Sequence, residues 1–594
     1  MKREVQAKLS QSRRYIKSHL GISNTVLLLG FFTGVFGATI AIIIKNLLHF
    51  TTNLLSTAFP HAQMNYLYLA FPLVGITLTM LYVTRIVKDD LSHGVSIALK
   101  SMCKSSGKLR RHNIYSSMIA SSITVGFGGS VGLEAPIVLT GSAVGSNLAQ
   151  FFNLSSKNTR LLLACGSAAA MAAIFKAPIA GIVFAIEVLM LDLTAAAILP
   201  LLISAATGTV LSILFLGENV MFHATMTPSF SIGNTPYYII LGILAGLLSV
   251  YFMRALRKIE GYFKKINNTW GKAVAGGLVL GGLIFVFPVF YGEGYENINY
   301  LLTGDLYSLF NNSPLYVFLD HKLLLFVFIL AVILLKVVAA ALTTASGGVG
   351  GVFAPTLFVG AFLGFFIATT LNHFFNLGLP VTNFVLAGMA GVMSGVMHAP
   401  LTGIFLIAEL STGYSLLIPL MFTSSLSYIT CKKFEKHSVY TKSLADAGYL
   451  LTHNKDKFAM QKINWKKLID KNISTISINA TLRDYTQAIA QSQRNLFVVI
   501  DDQGFFAGLL VMDQHRDILF KPELYDSVYV RNLMIQPDIF VYDTDSGEEI
   551  TRKFKETNNF NLPVTTTDRK YIGFLSKAKI LSAYKEFIAE ESED

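Results

Sequence analysis

Up to about Thr430 the chain strings together apolar runs, and glycine and proline break many of them before they reach the length of a membrane crossing. Residues 24–44, 66–83, 237–252 and 323–342 are examples of the apolar runs; a spanning helix needs roughly 20 such residues. Read as independent membrane helices, the broken segments would leave backbone N–H and C=O groups unsatisfied in hydrocarbon. Such backbone is tolerated at membrane depth only where protein buries it or where it lines a water-filled path. The composition makes a bilayer the solvent for most of the chain: 53% of residues are hydrophobic and 14% charged, against roughly 25% charged in a typical soluble domain. The expected fold is an α-helical multi-span membrane protein with broken helices, the natural home of a channel or transporter.

The chain also repeats itself. Residues 128–136 read GGSVGLEAP and residues 347–355 read GGVGGVFAP; downstream, 175–187 read FKAPIAGIVFAIE and 397–409 read MHAPLTGIFLIAE. Pro136 and Pro355 lie 219 residues apart, and Pro178 and Pro400 lie 222 apart. Two matches in the same order at nearly one separation define two halves, about 23–215 and 237–445, expected to be repeats of inverted topology. Paired Gly/Pro-interrupted segments in two halves are the best sequence pointer to a midplane substrate site.

The chemistry of those segments favours an anion. Glycine-rich backbone leading into a helix start, with Pro136 placed where its missing N–H costs nothing, offers unpaired N–H groups and a positive dipole end. Two facing helix starts hold an anion without a full cationic charge, so that it can leave again, as conduction requires. Glu134 sits inside the first of these turns, and its mate Phe353 is apolar. A carboxylate at membrane depth costs on the order of 3 kcal/mol and normally faces a cavity or carries function. Aimed at an anion site, it is a tethered competitor that protonation or a swing removes. The alternative reading is a glutamate that merely caps a helix start.

Beyond Cys431 the character changes to a soluble domain, with a linker expected over 446–464 and the domain over 465–594. There 495–520 and 561–588 each read as strand, tight turn, strand, helix, the pattern of two small α/β modules in tandem. The formal charge of +12 comes from 48 basic against 36 acidic residues. The basic residues cluster in the N-terminal arm, at 104–111, at 254–265 and just after the last span, whereas 216–238 and 291–320 are poor in Lys and Arg. That asymmetry is the positive-inside pattern rather than a nucleic-acid footprint. It predicts a multi-pass cell-membrane protein with both termini and the soluble domain in the cytoplasm. An amphipathic helix within residues 1–22 is the expected entry to the bilayer, with no signal peptide evident. Cys103, Cys165 and Cys431 are isolated, so neither a disulfide framework nor a metal site is expected. No Walker loop or nucleophile–base pair marks an enzyme.

These motifs resemble the CLC chloride channel/transporter family over residues 20–445. GLEAP at 132–136 resembles its gating-glutamate motif, GGVFAP at 350–355 its second selectivity motif, and SVYTKSL at 438–444 carries a match to its pore tyrosine; Lys336 precedes the second motif as a lysine does in the family. The resemblance implies a homodimer with one pore per subunit. Chloride is then bound by backbone amides matching Val352 and Phe353 and by the hydroxyl matching Tyr440, with Gly94, Gly132, Ala135 and Ala354 in the surrounding loops. The first family motif appears as Ser92-His93-Gly94-Val95-Ser96, so His93 stands where a serine coordinates the anion and Ser96 where proline is usual. A neutral imidazole donates one N–H and becomes cationic around pH 6.5, so His93 is expected either to line the path or to be turned away. In proton-coupled members a glutamate follows the residue matching Glu187; here it is Val188, which cannot relay a proton. A glutamate-gated passive chloride channel is therefore favoured over a chloride/proton antiporter, with transport of fluoride, nitrate or an organic anion a more distant alternative. Glu187 and Glu409 read as structural carboxylates. Lys176 and its mate His398 each precede an Ala-Pro, and Lys176 either draws chloride to the inner mouth or snorkels to water. The soluble tandem resembles a CBS-domain pair. Where such pairs bind adenine nucleotide with a hydroxyl and an aspartate, this chain has Val511 and Gln514, then Ser576 and Lys579, so a structural, dimer-stabilising role stands beside adenine-nucleotide binding as an alternative, and no other cofactor is expected.

Overall fold

The computed structural model describes residues 2–58, 66–91, 93–191, 194–218, 222, 230–315, 322–411, 414–447 and 463–592. The chain divides into two compact units, Met1–Leu450 and Leu451–Asp594. The first is helical: α1 (Lys2–Ala58), α2 (Phe71–Leu81), α3 (Gly94–Lys104), α4 (Ser116–Gly126), α5 (Glu134–Phe151), α6 (Ser156–Phe175), α7 (Pro178–Glu187) and α8 (Ala195–Leu216) form its first half. The second half comprises α9 (Thr235–Lys264), α10 (Thr269–Val286), α11 (Tyr295–Thr303), α12 (Lys322–Ala345), α13 (Phe353–Phe375), α14 (Val381–Met397), α15 (Pro400–Leu410), α16 (Leu417–Phe434) and α17 (Lys442–Asp446). Among the described residues nine helical segments are long and apolar enough to cross a membrane, and α7, α14 and α15 are shorter apolar helices. Helix α1 breaks at Gly21, whose φ of 71° leaves the helical region. The segment before the break is helical, and its amphipathic face lies outside the described side chains.

The two halves are built alike. Helix α5 packs on α6 as α13 packs on α14, and the approach is so close that a Cβ on Gly145 would strike the carbonyl of Leu162, and one on Gly364 the carbonyl of Phe384. Lys176 and His398 end α6 and α14 in the same left-handed conformation, φ 56° and 55°. Glu187, at the end of α7, accepts hydrogen bonds from the Leu401 and Thr402 amides at 3.1 and 2.8 Å and from the Thr402 hydroxyl at 2.8 Å. Glu409, at the end of α15, accepts from the Ile179 and Ala180 amides at 3.1 and 2.8 Å. Each helix thus ends on a carboxylate that caps the start of the other, which requires α7 and α15 to run antiparallel. The repeat is inverted, and both glutamates are structural caps.

At one end of this unit Glu435, just past α16, lies between Arg254 Nε at 2.9 Å and Arg257 Nη2 at 2.6 Å on α9. Partial burial pushes the Glu435 carboxyl up, but the two guanidinium groups outweigh it and hold it below the ordinary range. This pair of ion pairs anchors the segment that leads to Tyr440.

The second unit contains two three-stranded sheets of one topology. Strand β1 (Thr475–Ser477) runs parallel to β2 (Leu496–Ile500), which is antiparallel to β3 (Phe506–Val511). Likewise β4 (Val541–Tyr542) is parallel to β5 (Asn561–Thr565), itself antiparallel to β6 (Tyr571–Ser576). A capped helix joins the first two strands of each sheet: α18 (Leu482–Gln491) opens on a Thr481/Asp484 capping box and α19 (Gly547–Thr557) on Ser546/Glu549, so orphan donors at each start are satisfied. The leading strands and these helices extend the strand–turn–strand–helix pattern of the sequence. The trailing helices differ from that expectation. After β6, α20 (Lys577–Ser592) runs 16 residues, whereas the first copy has only the four-residue helix Arg516–Leu519, closed off before Pro522. Backbone bridges tie the modules reciprocally, Asp470 with Phe574 and Leu509 with Ile535. A Cβ at Gly508 or Gly573 would lie 2.9 or 2.6 Å from a carbonyl oxygen of these crossing segments, so both glycines serve chain packing.

Replacing Glu187 by Ala is expected to lower thermal stability in detergent, by about 1–2 kcal/mol for the lost cap, with Glu187→Gln losing less; an unchanged melting temperature would contradict the assignment. In the second unit Arg494, 2.8 Å away, and the Asn472 amide hold Asp470 down at about 2, against an ordinary aspartate near 3.9. A carboxylate depressed on folding stabilises above its unfolded value and loses that contribution as pH falls through the folded one. Asp470→Asn should therefore lower the denaturation midpoint of residues 451–594 at pH 7, and the gap from wild type should close between about pH 4 and pH 2.

Candidate functional site

The two glycine-rich turns of the repeat meet. Gly132 N–H donates to the Gly351 carbonyl at 2.8 Å and Gly351 N–H to the Gly132 carbonyl at 2.7 Å, a two-residue antiparallel bridge between the halves. The approach leaves no room for side chains: a Cβ on Gly351 would lie 2.7 Å from that of Ala135. The helices before the turns reinforce the crossing. Thr124 on α4 accepts from Val349 N–H at 3.0 Å, and its mate Thr343 on α12 accepts from Ser130 N–H at 3.1 Å. Lys336, fully buried, donates to Ser130 Oγ at 2.8 Å and to the Gly292 carbonyl at 3.3 Å, with its ammonium 4.8 Å from the Phe358 ring centre. A buried cation persists only with such partners.

The bridge sets the starts of α5 and α13 side by side. Neither carries a side-chain cap at its N-cap residues, Leu133 and Val352, and the first amides of any helix lack intrahelical acceptors. Helix α3 brings a third start, since a Cβ on Gly94 would lie 2.5 Å from the Ala135 carbonyl. Tyr440 completes the group: it is buried, and its hydroxyl has no hydrogen-bond partner among the described residues. Its backbone carbonyl accepts from Ser96 Oγ at 3.0 Å, so the serine in place of the usual proline ties α3 to the tyrosine. The Ser438–Thr441 turn, with Ser438 N–H on Thr441 Oγ1 at 3.0 Å and Thr441 N–H on Ser438 Oγ at 3.2 Å, fixes the same segment. Glycine-lined backbone, two helix starts and one free hydroxyl can together solvate a small anion stripped of water.

Glu134 is 2% exposed and opens α5. One carboxylate oxygen accepts a hydrogen bond from the Tyr295 hydroxyl. The other is buried with no close hydrogen-bond partner among the described residues, and the amides of Glu134 itself and of Ala354 on α13 face the carboxyl group. The acid of one half thus lies against the helix start of the other. Its mate Phe353 instead stacks on Phe175, ring centres 5.4 Å apart.

A cavity of about 160 Å³ opens toward this site, lined among others by His93, Gly94, Ser96, Arg257, Glu260, Val352 and Tyr440. His93 therefore sits on the cavity wall with its side chain half exposed, and its Nε2 lies 3.8 Å from Glu260 Oε1. Ser92 is outside the described residues. Val188 is buried directly after α7. Lys176 precedes the start of α7, whose first amides Glu409 caps, whereas His398 precedes the start of α15, capped by Glu187, and lies edge-on to Tyr428. Antiparallel α7 and α15 put the two at opposite ends of the unit. Sequence reasoning missed Tyr295, Glu293, Glu260, Thr124 and Thr343. The acid between glycines at 292–295, GEGY, was the available signal for the first two.

Residues 75–432 match the voltage gated chloride channel family and residues 530–586 the CBS domain. A ClcB-like chloride channel protein of Ralstonia nicotianae is 32% identical over 55% of this chain and 73% of its own length. The H(+)/Cl(-) exchange transporter ClcA of Yersinia pestis is 30% identical over 50% of this chain and 61% of its own. The fold of a slow cyanobacterial Cl-/H+ antiporter superposes with a TM-score of 0.60 at 22% identity, covering 71% of this chain and 96% of that one. With the family matched across more than half its length and its inverted repeat in place, this chain belongs to the CLC voltage-gated chloride channel family and carries a C-terminal CBS-domain pair.

Proposed function

We propose that the chain is a passive, glutamate-gated chloride channel of the cell membrane, with its anion held between the starts of α5 and α13. The observation that carries this reading is the Gly132–Gly351 bridge, which joins two uncapped helix starts beside a free tyrosine hydroxyl and a buried acid. Amides of Val352, Phe353 and Ala354 and the Tyr440 hydroxyl are the donors; Gly94, Gly132 and Ala135 keep the backbone close. Glu134 is the gate, because its carboxylate lies against the helix start that would otherwise face chloride. Val188 supports the absence of proton coupling, since a buried apolar side chain holds the place where a relay acid is needed. Antiport is the second reading, and the resemblance to an exchange transporter supports it.

The basic clusters support a cytoplasmic position for the end bearing Arg254, Arg257 and Lys432 and for both termini, and the cavity at His93 is then the inner vestibule. Exposed apolar side chains on α7, α8, α15 and α16, among them Ile179, Leu202, Leu401 and Met421, suit a second copy of the chain, giving a homodimer with one path per subunit. The CBS pair is a structural module: Lys579, where a nucleotide-binding aspartate is expected, lies 3.3 Å from Asp470 Oδ2.

In liposomes under a set potential, chloride should flow without stoichiometric proton movement, and Glu134→Gln should raise flux at neutral pH and remove its acid dependence. Uphill proton pumping driven by a chloride gradient would establish the antiporter instead. His93, 3.8 Å from Glu260 on the vestibule wall, lines the anion path; His93→Ser should change chloride flux at fixed pH, and an unchanged flux would remove His93 from the path.

A further inference from the structure

One short segment of the second half, residues 291–295, reaches the gate loop at three points and Lys336 of α12 at a fourth. The Tyr291 hydroxyl donates to the Gly126 carbonyl at 2.8 Å. The Gly292 carbonyl accepts from Lys336 Nζ at 3.3 Å. Glu293 Oε1 accepts from the amide of Leu133, the residue before Glu134, at 3.0 Å. The Tyr295 hydroxyl donates to Glu134 itself. The turn is tight by construction: Gly294 has φ 88°, and a Cβ there would lie 2.6 Å from the Phe358 ring. Only glycine adopts this at no steric cost, and the turn delivers Tyr295 as the first residue of α11.

We propose that residues 291–295 form a latch that holds Glu134 in the anion path, with Tyr295 and Glu293 as positioning residues for the gate. This rests on the reading of Glu134 as gate. A hydrogen bond to a carboxylate favours the ionised acid over the protonated one, so the Tyr295 hydroxyl stabilises the seated, charged gate. Glu293 takes the Leu133 amide and thereby fixes the turn from which Glu134 projects. Tyr440 stands on the anion side with its hydroxyl unpartnered, so the two tyrosines divide the work, Tyr295 for the gate and Tyr440 for the ion. The charged and titratable groups around the acid are Glu293, Tyr295 and Tyr440, with Lys45 of α1 and Lys336 of α12 acting on Glu293.

The test is chloride flux from liposomes across pH 4.5–8.5 for the wild type, Tyr295→Phe, Glu134→Ala and the double variant of the full chain, each with its thermal stability recorded. Loss of a bond to a charged group is expected to raise neutral-pH flux about tenfold and to move acid activation up by about one pH unit. In the Glu134→Ala background Tyr295→Phe should change nothing. If Glu134→Ala opens the path but Tyr295→Phe leaves the pH profile in place, or acts equally without Glu134, the latch is overturned and the gate stands. If Glu134→Ala leaves flux and its pH profile unchanged, the gate falls and the latch with it. Should Tyr295→Phe not fold, Tyr295→His, which keeps a donor, must retain acid activation closer to wild type than Tyr295→Leu does; equal profiles for the two would overturn the latch.

Discussion

The pair of backbone hydrogen bonds between Gly132 and Gly351 is the constraint on which the membrane unit turns. It forces two helices from different halves to begin within the thickness of one peptide of each other, deep inside the protein. Backbone that is not helical at such depth must find partners in the protein, and here much of each turn finds them in the other half: glycine on glycine, Thr124 on Val349, Thr343 on Ser130. What remains are the amide groups that no helix can satisfy at its own start, and these converge at one place. An anion is the ligand such a convergence favours, since it is met by partial positive charge without being trapped by a full one.

Where the halves are alike they build the frame, and where they differ they make it selective. Glu187 and Glu409 occupy mated positions and do the same work, each capping the other's helix. Glu134 and Phe353 also occupy mated positions but do opposite things: the carboxylate crosses to the partner helix start, while the phenyl ring stacks on Phe175. The segment Tyr291–Tyr295 touches both halves, taking Lys336 of α12 on its Gly292 carbonyl, but it gives its side-chain hydrogen bonds to the turn that bears the acid. Such asymmetry, laid on a symmetric frame, is what the proposed gate at Glu134 requires.

Much of this was legible in the sequence, for identifiable reasons. The motif glycines are spaced by close approach of backbone, so the same approach in both halves left the same pattern 219 and 222 residues apart. Glu134 stood out because a carboxylate in an apolar glycine turn has few structural reasons to be there. The pairing of that acid with Tyr295 was not legible: the GEGY run at 292–295 marks an unusual turn, but a contact that spans 161 positions leaves no local trace of its partner. That Lys176 and His398 lie at opposite ends of the unit was not legible, because local sequence does not say which end of an antiparallel pair a residue occupies. In the CBS pair, strands of three and two residues are too short to leave a periodic signal. The shortened helix at 516–519 followed from Pro522, which the apolar pattern before it concealed.

The most direct measurement is the position of an anomalous scatterer in a crystal or cryo-electron structure of the Glu134→Gln protein prepared in bromide. Bromide within hydrogen-bond reach of the Val352 and Phe353 amides and the Tyr440 hydroxyl, with the residue 134 side chain withdrawn, is the expected result. Bromide found elsewhere in the membrane unit, with the space between the starts of α5 and α13 closed to it, would contradict the account.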